Sequence, residues 1–379
     1  MFKVSSYNKI LYIFGSGRKE KILTSDLDSS EFFYGYFHMK SKFKDIDSIE
    51  MLPNGANLSK YQSILEFFDK VFRKLTNLPF YIHLIQSKNN FSKINNADLL
   101  ISTNDRIAIS VLPMVILSKF RSGKKKFVVI VMGLFSKKRD RKIVYFLQTI
   151  TLKFIIKKIN YLIFLGKGEY LLANKMFPKF NDKFKFIPFG INLNFWTPSK
   201  NYTAEENDYI LFVGNDGNRD FDKVIEIGNS LKDINIKIIT SQKISKQINN
   251  KNVELIYGNW HNSALTDQEL KEYYENAILT FIPLKETFQP SGQSVALQSM
   301  SLGVPVVMTQ TKGFWDVEKF NHLENIVFVN DNKIDNWNGL LSSLVKEKNL
   351  LNLISKNSIE TVRKYYNQND FFTKMEGLI

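Results

Sequence analysis

The sequence predicts an α/β protein that folds into two domains with parallel sheets. Short apolar runs alternate with helix-like patterns along the whole chain, which is typical of sheets covered by helices. A polar stretch that contains Pro198, Trp196–Asp208, separates two halves of similar pattern. The length of 379 residues is sufficient for two domains, each with its own hydrophobic core.

In the first half, short apolar runs between turn residues predict the strands Ile10–Phe14, Phe80–Ile85, Leu99–Ser102, Phe127–Met132, Tyr161–Leu165 and Phe186–Pro188. Helical periodicity predicts helices at Lys60–Leu75 and Ile107–Phe120. The most hydrophobic region, Ile143–Leu165, is interrupted by lysines and therefore falls short of a membrane-spanning helix. It predicts a buried or membrane-surface amphipathic helix that runs into a strand.

The second half repeats the same alternation. Its predicted strands are Tyr209–Val213, Ile236–Thr240, Val253–Tyr257, Ile278–Pro283, Val304–Met308 and Ile326–Val329. Its predicted helices are Asp222–Leu231, Asp267–Asn276, the amphipathic Ser294–Ser301, Asn336–Val345 and Leu350–Tyr366.

The most informative stretch is Ala277–Asp316, which predicts a strand, a polar loop, a helix and a second strand. Open parallel sheets bind ligands at the carboxyl ends of their strands, and a loop that opens a helix offers N–H groups to a phosphate. Gly292 allows close backbone approach, and the polar neighbours Ser291, Gln293 and Ser294 add side-chain donors. The alternative is an ordinary strand, helix, strand unit with a polar surface turn, because a single glycine loop is a weak signal.

Several segments of the chain resemble the nucleotide-sugar glycosyltransferases of the GT-B fold, of the family 4 (group 1) type. Leu297–Val307, LQSMSLGVPVV, is similar to a signature of that family. Lys185–Pro198, KFIPFGINLNFWTP, resembles its interdomain segment, and Asp208–Phe221, DYILFVGNDGNRDF, resembles the first strand and phosphate loop of its C-terminal domain. The resemblance covers Lys185–Asp316 well and the first half in outline.

This resemblance implies two Rossmann-like domains that face a cleft. Residues 1–195 correspond to an acceptor-side domain and residues 208–360 to a domain that binds the nucleotide-sugar donor. Residues 361–379 correspond to a final helix that crosses back to the first domain.

The resemblance places the donor diphosphate at the loop after Tyr209–Val213, where Gly214 begins a tight turn. Arg219 follows in this loop, and its planar fork can bind two phosphate oxygens at once. The alternative role of Arg219 is an ion pair with Asp216 or Asp220. Lys285 is a second candidate for the phosphates, or else a solvated surface lysine.

The donor helix departs from the family pattern, which has two Glu residues separated by seven others. Their places are taken by Pro290 and Gln298. Proline cannot replace a carboxylate, and Glu286, a few residues earlier, is the candidate for the catalytic role near the donor sugar. Gln298 is the candidate for the ribose, because an amide both donates to and accepts from hydroxyls. Its alternative is a polar residue on the exposed face of the helix.

The resemblance also points to candidates on the acceptor side of the cleft. Gly15, Ser16 and Gly17 follow the first strand directly, where a plain turn is the alternative. The family often has a His near the donor sugar, and the corresponding stretch Val128–Leu134 has Met132 and Gly133 instead. Gly190 begins the crossing between domains, where a glycine permits a sharp turn or close passage by the nucleotide.

Charge is unevenly distributed along the chain. Residues 1–200 contain 34 Lys and Arg against 14 Asp and Glu, whereas residues 201–379 contain 18 against 23. The densest basic stretch, Lys119–Lys142, predicts either a solvated face or attraction to an anionic membrane surface. Nucleic acid is not expected as a partner, because no nucleic-acid motif accompanies the charge. The chain has no cysteine, which excludes disulfides, thiol catalysis and cysteine metal sites.

We therefore predict a bacterial glycosyltransferase that moves a sugar from a nucleotide-sugar to a lipid-linked or polysaccharide acceptor, with retention, in surface-polysaccharide or lipopolysaccharide synthesis. No metal or other cofactor is expected. The predicted location is the cytoplasm, including the inner face of the membrane. The alternatives are a noncatalytic protein of the same fold that binds a nucleotide-sugar or glycan, and a basic membrane-associated scaffold. The sequence does not identify the sugar, base, acceptor, linkage or oligomeric state.

Overall fold

A computed structural model describes residues 7, 9–24, 28–122, 125–137, 141–258 and 265–379. The chain divides into two compact units. Unit 1 comprises Met1–Ile187 and Phe372–Ile379, and unit 2 comprises Pro188–Phe371. Within the described ranges, no helix is long and apolar enough to cross a membrane.

Unit 1 is built on a six-stranded parallel sheet. Its strands are β1 (Ile10–Phe14), β2 (Ile46–Glu50), β3 (Leu99–Ser102), β4 (Lys126–Val131), β5 (Tyr161–Phe164) and β6 (Phe184–Phe186). They lie in the order β2-β1-β3-β4-β5-β6. The buried strands β1, β3 and β4 are continuous apolar runs, as expected for a sheet covered on both faces.

The helices of unit 1 connect these strands. They are α1 (Arg18–Thr24), α2 (Tyr36–Lys42), α3 (Lys60–Thr76), α4 (Lys88–Asn96), α5 (Asp105–Ser122), α6 (Lys142–Lys158) and α7 (Lys167–Met176). The core is formed by β1, β3, β4 and β5 with the inner faces of α5 and α6.

Unit 2 contains a second six-stranded parallel sheet. Its strands are β7 (Tyr209–Val213), β8 (Asn235–Thr240), β9 (Val253–Tyr257), β10 (Ala277–Ile282), β11 (Val306–Thr309) and β12 (Val327–Val329). The order β9-β8-β7-β10-β11-β12 is the 3-2-1-4-5-6 order of the Rossmann fold. The order reverses between β7 and β10, and ligands of such sheets bind outside the carboxyl ends of the strands at this point.

The helices of unit 2 are α8 (Phe221–Ser230), α9 (Asp267–Glu275), α10 (Gln293–Ser301), α11 (Ile334–Leu344) and α12 (Lys348–Tyr365). The last helix of the chain, α13 (Gln368–Leu378), begins in unit 2 and ends in unit 1. The core of unit 2 packs β7, β8 and β10 against α8, α11 and α12.

The α/β fold with two Rossmann-like units is confirmed, and one predicted strand is wrong. Phe80–Ile85 forms a 3-10 turn at Ile82–Leu84 instead of a strand. Its backbone is held by side chains of α3, because Asp69 accepts from the His83 N–H and Gln62 donates to the His83 carbonyl. The hydrogen bonds to α3 therefore outweigh the tendency of this apolar segment to form a strand.

Candidate functional site

The loops after β7 and β10 are joined at the point where the strand order of unit 2 reverses. The Lys285 N–H donates to the Asn218 carbonyl at 2.9 Å, and the Asp220 N–H donates to the Pro283 carbonyl at 3.0 Å. Arg219 and Leu284 form an antiparallel bridge between these two contacts. The two loops therefore form one surface at the carboxyl edge of the sheet.

The side chain of Asn218 links the first loop to the start of α10. Its Nδ2 group donates to Gln289 Oε1 at 3.1 Å and to Ser291 Oγ at 2.8 Å. Gly292, the residue before α10, has a φ of +80°, which suits glycine because a side chain is strained in this region. The turn brings the amino end of α10 beside the loop after β7.

The N-cap residue of α10 is Gly292, which has no side chain that could cap the helix. The first N–H groups of a helix have no acceptor within the helix, and the helix dipole adds partial positive charge at this end. Gln293 and every residue of Val295–Ser301 are buried, so α10 is held in place along its length. The predicted amphipathic helix is thus wrong in one respect, since α10 buries its polar side chains as well.

The guanidinium of Arg219 is the buried cation of this site. The residue is only 3% exposed. A Cβ built on Gly292 would lie 3.3 Å from Arg219 Nη1, and one built on Gly214 would lie 2.5 Å from Arg219 Nε. Because neither glycine has a side chain, the guanidinium fits between the turn after β7 and the start of α10.

The hydrogen bonds of this guanidinium are incomplete. Asp216 Oδ2 lies 3.2 Å from Arg219 Nη1, which is the ion pair that the sequence offers as an alternative role. However, neither Nε nor Nη1 has a hydrogen-bond partner of acceptable geometry in the described part of the chain. A buried donor without an acceptor is costly, about 1–3 kcal/mol, and an anion placed here would remove that cost. The Asp216 carboxylate of the ion pair is 44% exposed, so water screens its attraction to the guanidinium.

A polar network behind these loops fixes their position. Asp220 caps α8 by accepting from the Lys223 N–H, and its other oxygen accepts from Asn332 Nδ2 at 2.9 Å. Asn332 Oδ1 accepts from Trp337 Nε1 at 2.7 Å, and Asn332 Nδ2 also donates to the Leu284 carbonyl at 3.2 Å. Sequence reasoning missed Asn332. Its position three residues after β12, at the carboxyl edge of the sheet, could have indicated a place near the site.

Unit 1 has buried carboxylates at the corresponding edge of its own sheet. Asp105 Oδ1 accepts from the Met132 N–H at 2.7 Å. Glu169 accepts from the Gly133 and Phe135 N–H groups, each at 2.9 Å. Burial, followed by the negative charge of Asp105, raises the pKa of Glu169 from 4.5 to about 8, and burial also raises the pKa of Asp105. These carboxylates hold the loop after β4, and sequence reasoning missed both.

Sequence comparison with family models and with curated proteins gives no match. Comparison of structures gives matches over nearly the whole chain. Sucrose-phosphate synthase from Thermosynechococcus elongatus is 13% identical with a TM-score of 0.67, and the match covers 98% of each chain. A glycosyltransferase from Rickettsia africae is 12% identical with a TM-score of 0.63, covering 99% of this chain and 98% of the other.

A third match is HepE of Anabaena in complex with UDP-glucose, 10% identical with a TM-score of 0.62, covering 97% of this chain and 98% of the other. The chain has the GT-B fold. At these identities the similarity shows the fold alone. The role of each residue in this GT-B chain is therefore inferred from the contacts that the residue makes within its own unit.

The structure brings together four of the predicted donor residues of this GT-B chain. Gly214, Arg219, Ser291 and Gly292 surround the start of α10. Gln293 is buried in the first turn of α10, while Ser294 and Pro290 beside it are half-buried. These positions fit the predicted donor site, whose ligand contacts stay a prediction.

Two other predicted donor residues, Lys285 and Gln298, and the predicted catalytic residue Glu286 lie in different surroundings. Lys285 and Glu286 are exposed, and Glu286 Oε1 accepts from the Lys312 N–H at 2.9 Å. Gln298 is only 3% exposed. The alternative of a polar residue on the exposed face of its helix is therefore wrong for Gln298.

The predicted acceptor-side residues lie in two places in unit 1 and one in unit 2. Gly15 and Ser16, next to Gly17, line a cavity of about 120 Å³ that also contacts Arg106. Met132 and Gly133 form the loop held by the buried carboxylates. Gly190 lies in unit 2, where a Cβ would come within 2.5 Å of the Asn367 carbonyl oxygen, so its space is taken by backbone.

Proposed function

We propose that unit 2 binds the diphosphate of a nucleotide-sugar and that the protein is a glycosyltransferase. This proposal rests on the buried Arg219 guanidinium beside the start of α10, where Gly292 has no side chain to cap the helix. Its Nε and Nη1 have no hydrogen-bond partner within the described ranges. A diphosphate supplies several acceptor oxygens and the opposite charge. The site lies where the strand order of a Rossmann sheet reverses, which is the usual ligand position of such sheets.

This arrangement supports group transfer as well as binding. When the bond between the sugar and the diphosphate breaks, negative charge develops on the departing phosphate oxygen. Arg219 and the amino end of α10 are fixed donors that stabilise this charge without reorganisation. Among the described residues, no group of three or more His, Asp or Glu is placed to hold a metal ion.

We propose a lipid-linked or polysaccharide acceptor and transfer with retention, as the resemblance to family 4 implies. The place of action is then the cytoplasm and the inner face of the membrane, in the synthesis of surface glycans. The basic stretch Lys119–Lys142 is a weak candidate for membrane contact. Lys125 Nζ is bound to the Ile94, Asn95 and Ala97 carbonyls, and Lys126 Nζ donates to the Leu378 carbonyl. Residues 123–124 and 138–140 of this stretch lie outside the described residues.

One observation favours a noncatalytic donor-binding protein as the second candidate. The family's paired Glu positions are Pro290 and Gln298, and the substitute Glu286 is exposed and bonded to the Lys312 N–H. The diphosphate site is complete without any of them. Such a protein would bind the nucleotide-sugar and leave it intact.

Two measurements on the full chain separate these candidates. Calorimetric titration with UDP, GDP, ADP and CDP should show saturable binding of at least one of them. Incubation with the matching nucleotide-sugars and a membrane extract should then release the nucleoside diphosphate. Binding without release would favour the noncatalytic candidate, and failure of every nucleoside diphosphate to bind would contradict both.

A further inference from the structure

Helix α3 of unit 1 is turned with its polar side toward the protein. Only Asp69 and Thr76 of this helix are buried. Asp69 Oδ2 accepts from His83 Nδ1 at 2.6 Å, and Gln62 Nε2 donates to the His83 carbonyl at 3.0 Å. Arg73 donates to the Phe80 carbonyl. Apart from a ring contact between Phe72 and Phe80, the helix is therefore attached to unit 1 by polar contacts, the reverse of an ordinary surface helix.

The apolar side of α3 faces outward as a consequence. Its exposed side chains are Tyr61, Ile64, Phe67, Phe68, Val71, Phe72 and Leu75. They recur at spacings of three and four, which places them along one side of the helix. Phe67 is 64% exposed. A continuous apolar stripe of this kind is unfavourable in water and marks a surface that binds another molecule or a membrane.

Helix α6 extends this surface. It packs beside α3, and its exposed apolar residues are Ile143, Tyr145, Phe146, Ile150 and Phe154. Together α3 and α6 carry twelve large exposed apolar side chains, whereas the described residues of unit 2 carry four. We name the twelve residues the apolar face. Its concentration on two neighbouring helices excludes the ordinary scatter of single exposed apolar residues.

The charges around the apolar face are almost all positive. On α3 the exposed Lys60, Lys70 and Lys74 border it, and on α6 no acidic residue accompanies Lys142, Lys153 and Lys157. The carboxylates of α3 are Asp69, which is buried against His83, and Glu66, which pairs with Lys70 at 2.9 Å. A partner that complements this surface has an apolar region for the aromatic and aliphatic side chains and negative charges for the lysines around them.

We infer that the apolar face docks on an anionic lipid bilayer, with the aromatic side chains in the headgroup and acyl boundary and the lysines at the phosphates. Amphipathic helices bind membranes in this orientation, by apolar burial together with attraction to anionic lipid. A second copy of this chain fits less well. A symmetric dimer places the same patch on both sides, so the lysines of one copy would face those of the other. The docking does not depend on the proposed transfer chemistry.

The test uses the full chain and flotation with two kinds of vesicle, one of phosphatidylcholine and one of phosphatidylcholine with phosphatidylglycerol. The parent should float with the anionic vesicles only, and high salt should weaken this binding. The triple variant Ile64→Gln, Phe67→Gln and Phe68→Gln should bind at least tenfold more weakly. Its matched control is Tyr257→Gln, Val317→Gln and Leu353→Gln, which changes three exposed apolar residues of unit 2 and should bind like the parent.

Circular dichroism and calorimetric titration with UDP show whether both triple variants keep the parental fold and any nucleotide binding. Docking is contradicted if the folded parent ignores anionic vesicles, or if the α3 triple variant floats as well as the parent. A concentration-dependent dimer that the α3 triple variant abolishes would assign the face to a second copy and overturn the inference. Because the vesicles contain no nucleotide, failure here leaves the donor site unaffected.

Discussion

Both units are six-stranded parallel sheets covered by helices, but they bury different ionisable groups at the carboxyl edges of their sheets. In unit 1 the buried groups are carboxylates, and Asp105 and Glu169 accept the N–H groups of the loop after β4. In unit 2 the buried group is the Arg219 guanidinium, two of whose nitrogens have no hydrogen-bond partner among the described residues. The carboxylates accept hydrogen bonds from the protein itself, whereas the guanidinium has donor groups left for a bound anion.

The fold alone therefore does not decide which unit binds a nucleotide. Both sheets have a reversal of strand order, and both have polar loops there. At this edge of unit 1 the carboxyl oxygens already accept N–H groups of the protein. In unit 2 we propose that Arg219 and the start of α10 attract a diphosphate.

The largest effect is expected from the buried carboxylates of unit 1. The folded state raises the pKa of Glu169 to about 8, whereas the unfolded chain releases this proton near 4.5. Between these values the folded state holds a proton that the unfolded state has lost, so stability falls as pH rises. Linkage sets this slope at up to about 1.4 kcal/mol per pH unit. Urea unfolding at several pH values between 5 and 8 should show the slope, and Glu169→Gln should flatten it. The same slope in parent and variant would show that Glu169 is already ionised at low pH.

The next effect concerns the cation of unit 2. Arg219→Ala should weaken nucleoside diphosphate binding by about 1.5–3 kcal/mol, because hydrogen bonds to charged groups are lost. Arg106→Ala is the matched control, since Arg106 contacts the cavity beside Gly15 in unit 1. Calorimetric titration should show the loss for Arg219 alone. Equal affinity of Arg219→Ala and the parent would assign Arg219 to its ion pair with Asp216.

A third prediction separates backbone strain from site geometry. Gly292 and Gly303 have nearly the same φ, +80° and +79°, so an alanine at either position costs about 1–2 kcal/mol of stability. At Gly292 the new Cβ would also lie 3.3 Å from Arg219 Nη1, whereas at Gly303 its neighbours are Ile359 and Ser355. Thermal unfolding should show a loss for both variants, and titration should show weaker nucleotide binding for Gly292→Ala alone. A similar loss of binding in Gly303→Ala would mean that strain, not the guanidinium, controls the site.

The smallest effect is expected at the turn after β7. A Cβ at Gly214 would lie 2.5 Å from Arg219 Nε, but nothing lies within 4 Å of a Cβ at Gly217. Since the long Arg219 side chain can shift, Gly214→Ala should weaken nucleotide binding by about 1 kcal/mol, the value of one hydrogen bond. Gly217→Ala should bind like the parent in the same titration. Equal losses in both variants would point to the turn as a whole.

Much of the fold could be predicted because its central strands are buried on both faces. β1, β3 and β7 have the predicted bounds, and continuous apolar runs identify them. β2 was missed, because this edge strand, Ile46–Glu50, is only partly buried and contains two acidic residues. The amino-acid composition of such a segment does not show that it will pair with β1, and this pairing is what makes it a strand.

The candidate site was predicted in part for a related reason. Gly214, Arg219, Ser291 and Gly292 stand in short loops beside strands, where sequence position fixes spatial position closely. Asp105 and Glu169 are 64 positions apart in the sequence and meet only because β3, β4 and β5 are neighbours in the sheet. No pattern within a short window of the sequence could reveal that pair.

Hydrogen exchange with and without nucleoside diphosphate tests the assignment of the diphosphate to unit 2, because it reports on both units in one experiment. The peptides that cover residues 214–220 and 289–296 of unit 2 should exchange more slowly when UDP, or whichever nucleoside diphosphate binds, is present. The peptide that covers residues 132–135 of unit 1 should keep its rate. Protection confined to the loop of unit 1, with unchanged exchange at the start of α10, would contradict the assignment of the diphosphate to Arg219.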